Sequence, residues 1–154
     1  WAECGVLGFP VLIHSAEPAS FWKPKDKFNE RWLELKQKPG RYRDPAKAPS
    51  FESIIAEQHD IFRKNPGTTF INAHMGWMAN DLDRLGAHLD TYPNVMTEIG
   101  AVLAELGRQP RRARKFFETE SNLGVRIVLL AARRGDGGDY CRARHKCLFV
   151  SVSS

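Results

Sequence analysis

Two stretches of the sequence place a histidine directly after a run of strand-forming residues. FPVLIHSAEP (residues 9–18) leads into His14, and TTFINAHMGW (residues 68–77) leads into His74. A third stretch, NVMTEIG (residues 94–100), carries Glu98 at the corresponding point. A neutral imidazole can ligate a metal ion or accept a proton, and a carboxylate can orient an imidazole or contact a substrate. The recurrence of this pattern indicates a functional site rather than isolated structural histidines.

The surrounding elements alternate between strands and helices. Apolar stretches predict strands at 10–14, 68–74, 94–100 and 125–132, and amphipathic spacing predicts helices at 51–64, at 80–91 and from Pro110. Such alternation is typical of parallel strands joined by right-handed crossovers. We therefore expect one parallel sheet with its strands in chain order and helices on one face. Its carboxyl edge, where parallel α/β folds bind ligands, would bring His14, His74 and Glu98 together.

Composition favours one soluble globular unit. The chain has 154 residues, 42% of them hydrophobic and 27% charged, which is enough for a single core. No apolar run approaches the roughly 20 residues that a membrane helix needs. Three scattered cysteines and the absence of a signal-like opening predict a cytoplasmic protein. The opening residues read as the end of a helix closed by Gly8, so we expect the natural chain to begin earlier.

Positive charge is concentrated near the end of the chain. Residues 108–146 contain eleven Lys or Arg against four Asp or Glu, a local balance of +7 within a net charge of +5. A nucleic-acid-binding module is one hypothesis, but the segment holds few aromatic residues and no known binding motif, so we expect no nucleic-acid partner. Its CRARHKC stretch (residues 141–147) lacks the paired spacing of zinc ligands.

PVLIHSAEPASFW, TTFINAHMGW and NVMTEIGAVLAELGRQPRRARKFF together resemble the amidohydrolase-related family of metal-dependent TIM-barrel hydrolases. The resemblance implies a (β/α)8 barrel and a divalent metal, with zinc expected. It aligns His14 with the metal ligand on the fifth strand. His74 aligns with the sixth-strand histidine, which acts as catalytic base or ligates a second metal. Glu98 would close the seventh strand.

Two parts of the family pattern are missing from this sequence. The first-strand His-x-His is absent, and no Asp stands at the end of the predicted eighth strand, because Asp136 and Asp139 lie several residues beyond it. We therefore predict an α/β fold forming a partial (β/α)8 barrel, about strands five to eight. Residues 1–118 would form this barrel domain, and 119–154 a divergent basic tail for which disorder is an open alternative.

The expected function is hydrolysis of a small-molecule substrate by a metal-activated water. A decarboxylase on the same scaffold and a non-catalytic fragment are the alternatives, and the open strand edges would allow a homo-oligomer. His59 and His88 fall mid-helix beside polar residues and are predicted to lie on the surface. The predicted site consists of His74 as catalytic residue, His14 as metal ligand, and Glu17, Trp22, Trp77 and Glu98 as substrate contacts.

Overall fold

The computed structural model describes residues 1–119, 127–128 and 148–152 of the chain. Its helices are α1 (Ala2–Val6), α2 (Trp32–Gln37), α3 (Phe51–Lys64), α4 (Leu82–Thr91), α5 (Leu103–Gly107) and α6 (Pro110–Thr119), with 3-10 segments at Ala19–Trp22, Pro39–Arg41 and Ala73–Trp77. Its strands are β1 (Val11–Ser15), β2 (Phe70–Asn72), β3 (Val95–Glu98), β4 (Ile127–Val128) and β5 (Leu148–Val152).

All of these strands run parallel in one five-stranded sheet with the order β4-β3-β2-β1-β5. The predicted chain-order arrangement of the first four strands is confirmed. Strand β5, which the sequence analysis did not predict, pairs with β1 along its whole length, from Val11 opposite Leu148 to Ser15 opposite Val152. The chain therefore has an α/β fold with a parallel sheet. That it represents strands five to eight of a barrel stays a prediction.

The core lies between one face of the sheet and the longer helices. Strand residues such as Val11 and Phe70 are fully buried against the apolar faces of α3, α4 and α6. Helix α3 begins where the sequence predicts, because the Ser50 hydroxyl accepts a hydrogen bond of 3.0 Å from the backbone N–H of Ser53. Near the start of the chain, Gly8 follows α1 with a φ of +69°, as expected of a residue that closes a helix.

The connection between β1 and α3 crosses the carboxyl side of the sheet and is fixed by polar contacts. The buried Asn29 side chain donates hydrogen bonds of 2.9 Å to the carbonyls of Ser20 and Pro24. Arg31, at the start of α2, forms an ion pair with the buried Glu105 of α5. This long segment is therefore held against the end of the sheet.

Several expectations fall partly or wholly outside the described residues. The CRARHKC stretch, Asp136 and Asp139 lie there, as does most of the basic segment after Thr119. The division of the chain at residue 118 stays a prediction; β4 and β5 both lie beyond it. Among the described helices, none is long and apolar enough to cross a membrane.

Candidate functional site

His14 lies on the face of β1 that points away from the core helices. Along this strand Val11, Ile13 and Ser15 are buried, whereas Leu12 and His14 are only half-buried. Successive side chains of a strand point to opposite faces, so burial of the valine and isoleucine places the histidine on the other face. His14 is the penultimate residue of the strand, which ends one residue later than predicted.

The expected strand end at His74 is wrong. Strand β2 stops at Asn72, and His74, Met75, Gly76 and Trp77 follow with φ values of +57°, +53°, +59° and +58°. Four successive residues in this left-handed conformation are unfavourable for L-amino acids. The turn is stabilised by burial, since Met75 is fully enclosed in the core and Trp77 is only 8% exposed. It turns the backbone N–H and the ring of His74 toward the end of β3.

Left-handed residues also follow the neighbouring strands. Ala16 comes after β1 with φ +62°, and Ala101 comes after β3 with φ +58°. All of the non-glycine residues described with positive φ therefore lie in the three loops at the carboxyl edge of β1, β2 and β3. Strained backbone of this kind is concentrated at functional sites in many proteins.

Glu98 holds His74 through both its ring and its backbone. One carboxylate oxygen of Glu98 lies 2.8 Å from Nδ1 of His74 and also accepts a hydrogen bond from the His74 backbone N–H. The second oxygen accepts from the backbone N–H of Gly100. The carbonyl oxygen of Gly100 lies 2.9 Å from the same Nδ1. Both partners of Nδ1 are acceptors, so this nitrogen carries a hydrogen, and in neutral His74 the lone pair is on Nε2.

The ionisation of this pair follows from these contacts. Burial by itself lowers the pKa of His74, but the hydrogen bond and the charge of Glu98 outweigh it, and the pKa lies above its ordinary value. Burial also opposes ionisation of Glu98, yet its hydrogen bonds from His74 and Gly100 hold the pKa of this carboxyl below its usual range. A carboxylate paired with an imidazole makes the ring more basic.

His14, His74 and Trp77 form one aromatic group at this edge. The ring centroids of the two histidines are 5.0 Å apart with nearly perpendicular planes, and the Trp77 ring lies 4.9 Å from His74 and 6.2 Å from His14. The predicted approach of the two histidines at this edge is confirmed, although His74 lies two residues beyond the end of its strand. Burial and the nearby imidazole of His74 lower the pKa of His14, although the carboxylates of Glu17 and Glu98 act against this. His14 is therefore neutral at neutral pH, the form that ligates metals.

Two predicted substrate contacts differ in their surroundings. Glu17 is half-buried and close enough for its charge to act on both His14 and His74. Trp22 instead donates its indole N–H to the carbonyl of Pro49 at 2.8 Å and packs against Phe51. These contacts anchor the long connection to the start of α3. Direct substrate contact by either residue stays a prediction.

A buried polar network behind the site was not predicted. The Gln58 amide of α3 donates to the Ser15 hydroxyl and, at 3.1 Å, to the side-chain oxygen of Asn72, and the Asn72 amide returns a hydrogen bond of 2.9 Å. The network links α3 to the last residues of β1 and β2, next to His14 in β1 and two residues before His74. The sequence does indicate that Gln58 is buried, because it falls on the same helical face as Ile54 and Ile55.

The surface placement of His59 and His88 is wrong. His88 is only 5% exposed, and the rings of the two histidines stack with centroids 4.4 Å apart between α3 and α4. His88 lies three residues after Leu85 on the buried face of α4, so helical geometry turns it toward α3. Burial and the charge of Arg84 lower the pKa of His59.

The described residues do not supply a complete metal centre. Among them, no group of three or more His, Cys, Asp or Glu side chains could hold an ion. His14 and His74 offer two nitrogens, whereas a catalytic zinc site takes about three protein ligands.

Comparison with known proteins identifies the class. A model of the amidohydrolase family matches residues 1–136, so the chain belongs to the amidohydrolase family. No curated protein and no solved structure matches it. The resemblance drawn from the sequence is thus confirmed at the level of the family, and membership supports a place in the hydrolase superfamily.

Proposed function

We propose that this chain carries the proton-transfer part of a hydrolase active site that acts on a small-molecule substrate. His74 is the general base that accepts a proton from the attacking water at Nε2. Glu98 positions the ring and raises its basicity. The observation that carries the proposal is the pair of acceptors at Nδ1, the Glu98 carboxylate and the Gly100 carbonyl, which leaves Nε2 as the basic nitrogen.

Proton transfer in this arrangement needs little movement. When Nε2 takes a proton, the imidazolium that forms already faces a buried carboxylate at 2.8 Å. The charge is therefore compensated where it appears, and no solvent must reorganise around it. Trp77, packed on both histidines, restricts the access of bulk water to the rings.

His14 is proposed as one nitrogen ligand of a divalent metal, with zinc the first choice. With His74 acting as the base, His14 is the one histidine ligand and leaves an ion mostly to water, so we expect this chain to bind zinc weakly. Elemental analysis after dialysis should find far less than one zinc per chain, and His14→Ala should remove the weak binding seen by calorimetry. Stoichiometric zinc that His14→Ala abolishes would contradict this ligand count.

The tautomer of His74 tests the general base directly. In protein labelled with ¹⁵N-histidine, neutral His74 should show a hydrogen on Nδ1 and a bare Nε2. Glu98→Gln should lower the pKa of the ring. A neutral His74 with its hydrogen on Nε2 would exclude it as the base. Hydrolysis of small esters and amides with added zinc, compared between the unmodified chain and His74→Ala, then tests the activity itself.

A further inference from the structure

A small cavity opens beside Trp77 where the three loops of the carboxyl edge meet. Trp77 comes from the loop after β2, and Val102 and Glu105 come from the segment after β3. The long connection adds Pro18, Ala19 and Glu30. The cavity has space for about one water-sized group. Since the indole of Trp77 also contacts His74, the cavity adjoins the proposed site of proton transfer.

Two polar atoms of the residues that line the cavity have no hydrogen-bond partner within the described part of the chain. They are Nε1 of Trp77 and Oε2 of Glu105, on side chains that are only 8% and 6% exposed. Buried polar groups in folded proteins are nearly always paired, and an unpaired one is unfavourable. The other Glu105 oxygen is already used in the ion pair with Arg31. Oε2 therefore remains without a partner among the described residues, on a side chain that lines the cavity.

The two atoms have complementary requirements. An indole N–H can only donate a hydrogen bond, and an ionised carboxylate can only accept one. A hydroxyl does both, because its oxygen accepts while its hydrogen donates. We propose that this cavity is a substrate subsite that binds a neutral hydroxyl group between Nε1 of Trp77 and Oε2 of Glu105. The inference rests on the proposed function, since it adds a hydroxyl to the substrate of that same site.

The charges around the cavity narrow the class of ligand further. Glu30 and Glu105 both line it, and their charges disfavour a carboxylate or phosphate group on the substrate. Arg31 and Arg108 pair with these carboxylates: Arg31 with Glu105, and Arg108 with Glu30 at 3.1 Å. Since Arg31 and Arg108 are already paired with carboxylates, neither is available for an anionic group. An alcohol is therefore favoured over an acid.

Matched small probes test the subsite without any knowledge of the substrate. Isopropanol and acetone share a carbon skeleton, but only isopropanol can donate a hydrogen bond to Glu105. Each is titrated into the full chain labelled with ¹⁵N-tryptophan while the indole N–H signals are followed. Isopropanol should shift the Trp77 signal with a midpoint about tenfold lower than that of acetone, as expected for a hydrogen bond to a charged group.

Internal controls are available in the same spectrum. The indole N–H groups of Trp22 and Trp32 already donate to the carbonyls of Pro49 and Lys25, at 2.8 and 3.1 Å, and should not respond. Trp77→Phe assigns the responding signal and removes the donor. In that variant both probes lose the same donor, so saturation transfer to the probe methyl groups should weaken several-fold for isopropanol and for acetone alike.

Glu105→Gln keeps the shape of the side chain and adds a donor. Its amide can donate to the acetone carbonyl, so the preference for isopropanol should be lost while the circular dichroism spectrum is retained. If this variant does not fold, the unmodified chain and Trp77→Phe still decide the question. Equal midpoints for the two probes in the unmodified chain, or a Trp77 response no larger than that of Trp22, would overturn the proposal.

The outcome is separable from that of the proposed function. A selective response to isopropanol combined with the wrong tautomer at His74 would retain the subsite and remove the general base. The expected His74 tautomer without a selective response to isopropanol would retain the general base and remove the subsite.

Discussion

Replacement of Gly76 by alanine should destabilise the fold and disturb the site together. Gly76 has a φ of +59°, and a Cβ there would lie 2.4 Å from the side-chain nitrogen of Asn72 and 3.1 Å from the Met78 methyl group. The left-handed conformation costs alanine about 1 kcal/mol relative to glycine. Displacement of the Asn72 amide breaks its two hydrogen bonds with Gln58, each worth about 1 kcal/mol.

The expected loss in the free energy of unfolding is therefore about 3 kcal/mol. For a chain of this length that corresponds to a fall in Tm of roughly 10 °C. Urea unfolding followed by tryptophan fluorescence measures the first quantity, and calorimetry measures the second. The ring signals of His74 should also move, because the same turn carries that residue.

Gly107→Ala is the matched control. Gly107 ends α5, its φ is not in the left-handed region, and an added Cβ would meet nothing within 4 Å. We expect no loss, or a gain of about 0.5 kcal/mol from helix propensity. Gly76→Asn separates the cost of the left-handed backbone from the cost of the Cβ contact with Asn72. Asparagine tolerates the left-handed region better than alanine but carries the same Cβ. A Gly76→Ala variant within about 1 kcal/mol of the unmodified chain would refute this reasoning.

Three further predictions concern charged groups. Glu98→Gln should lower the pKa of His74 in an NMR titration, and an unchanged pKa would contradict the pairing. The variant should lose most stability below about pH 6.5, and the loss should shrink as pH rises through the folded pKa of His74. Because burial lowers the pKa of His59, its contribution to stability is present above pH 6.5 and is lost as pH falls toward the folded value. In the His59→Phe variant, the free energy of unfolding measured with urea should therefore fall less as pH drops below 6.5. An unaltered dependence on pH would show that groups other than His59 cause the loss of stability in acid. Arg31→Met leaves the buried Glu105 carboxylate with only the longer ion pair to Arg108, at 3.6 Å, and should cost about 3 kcal/mol in urea unfolding. Arg63→Met, at an exposed ion pair, should leave the midpoint unchanged.

The elements and their order were predictable because each leaves a local pattern. Helix α3 follows the apolar spacing between Phe51 and Phe62, with Ser50 as its cap. The buried strands appear as short apolar runs such as PVLIH, and alternation with helices predicts parallel pairing. Helix α5 was missed because its five residues are too few to show a period. Strand β5 was missed although its sequence, LFVSV, is rich in strand-forming residues.

The sequence by itself determined the parallel sheet and the amidohydrolase resemblance. It also determined the convergence of His14 with His74, since residues at or just beyond the carboxyl ends of adjacent parallel strands lie at one edge of the sheet. Only the tertiary structure decided how His74 is held. Its left-handed turn depends on the burial of Met75, and its ring is oriented by Glu98, which lies 24 residues away in the chain. The ion pair of Arg31 with Glu105 joins residues 74 apart. Contacts of this range leave no local pattern, because they depend on packing among several elements at once.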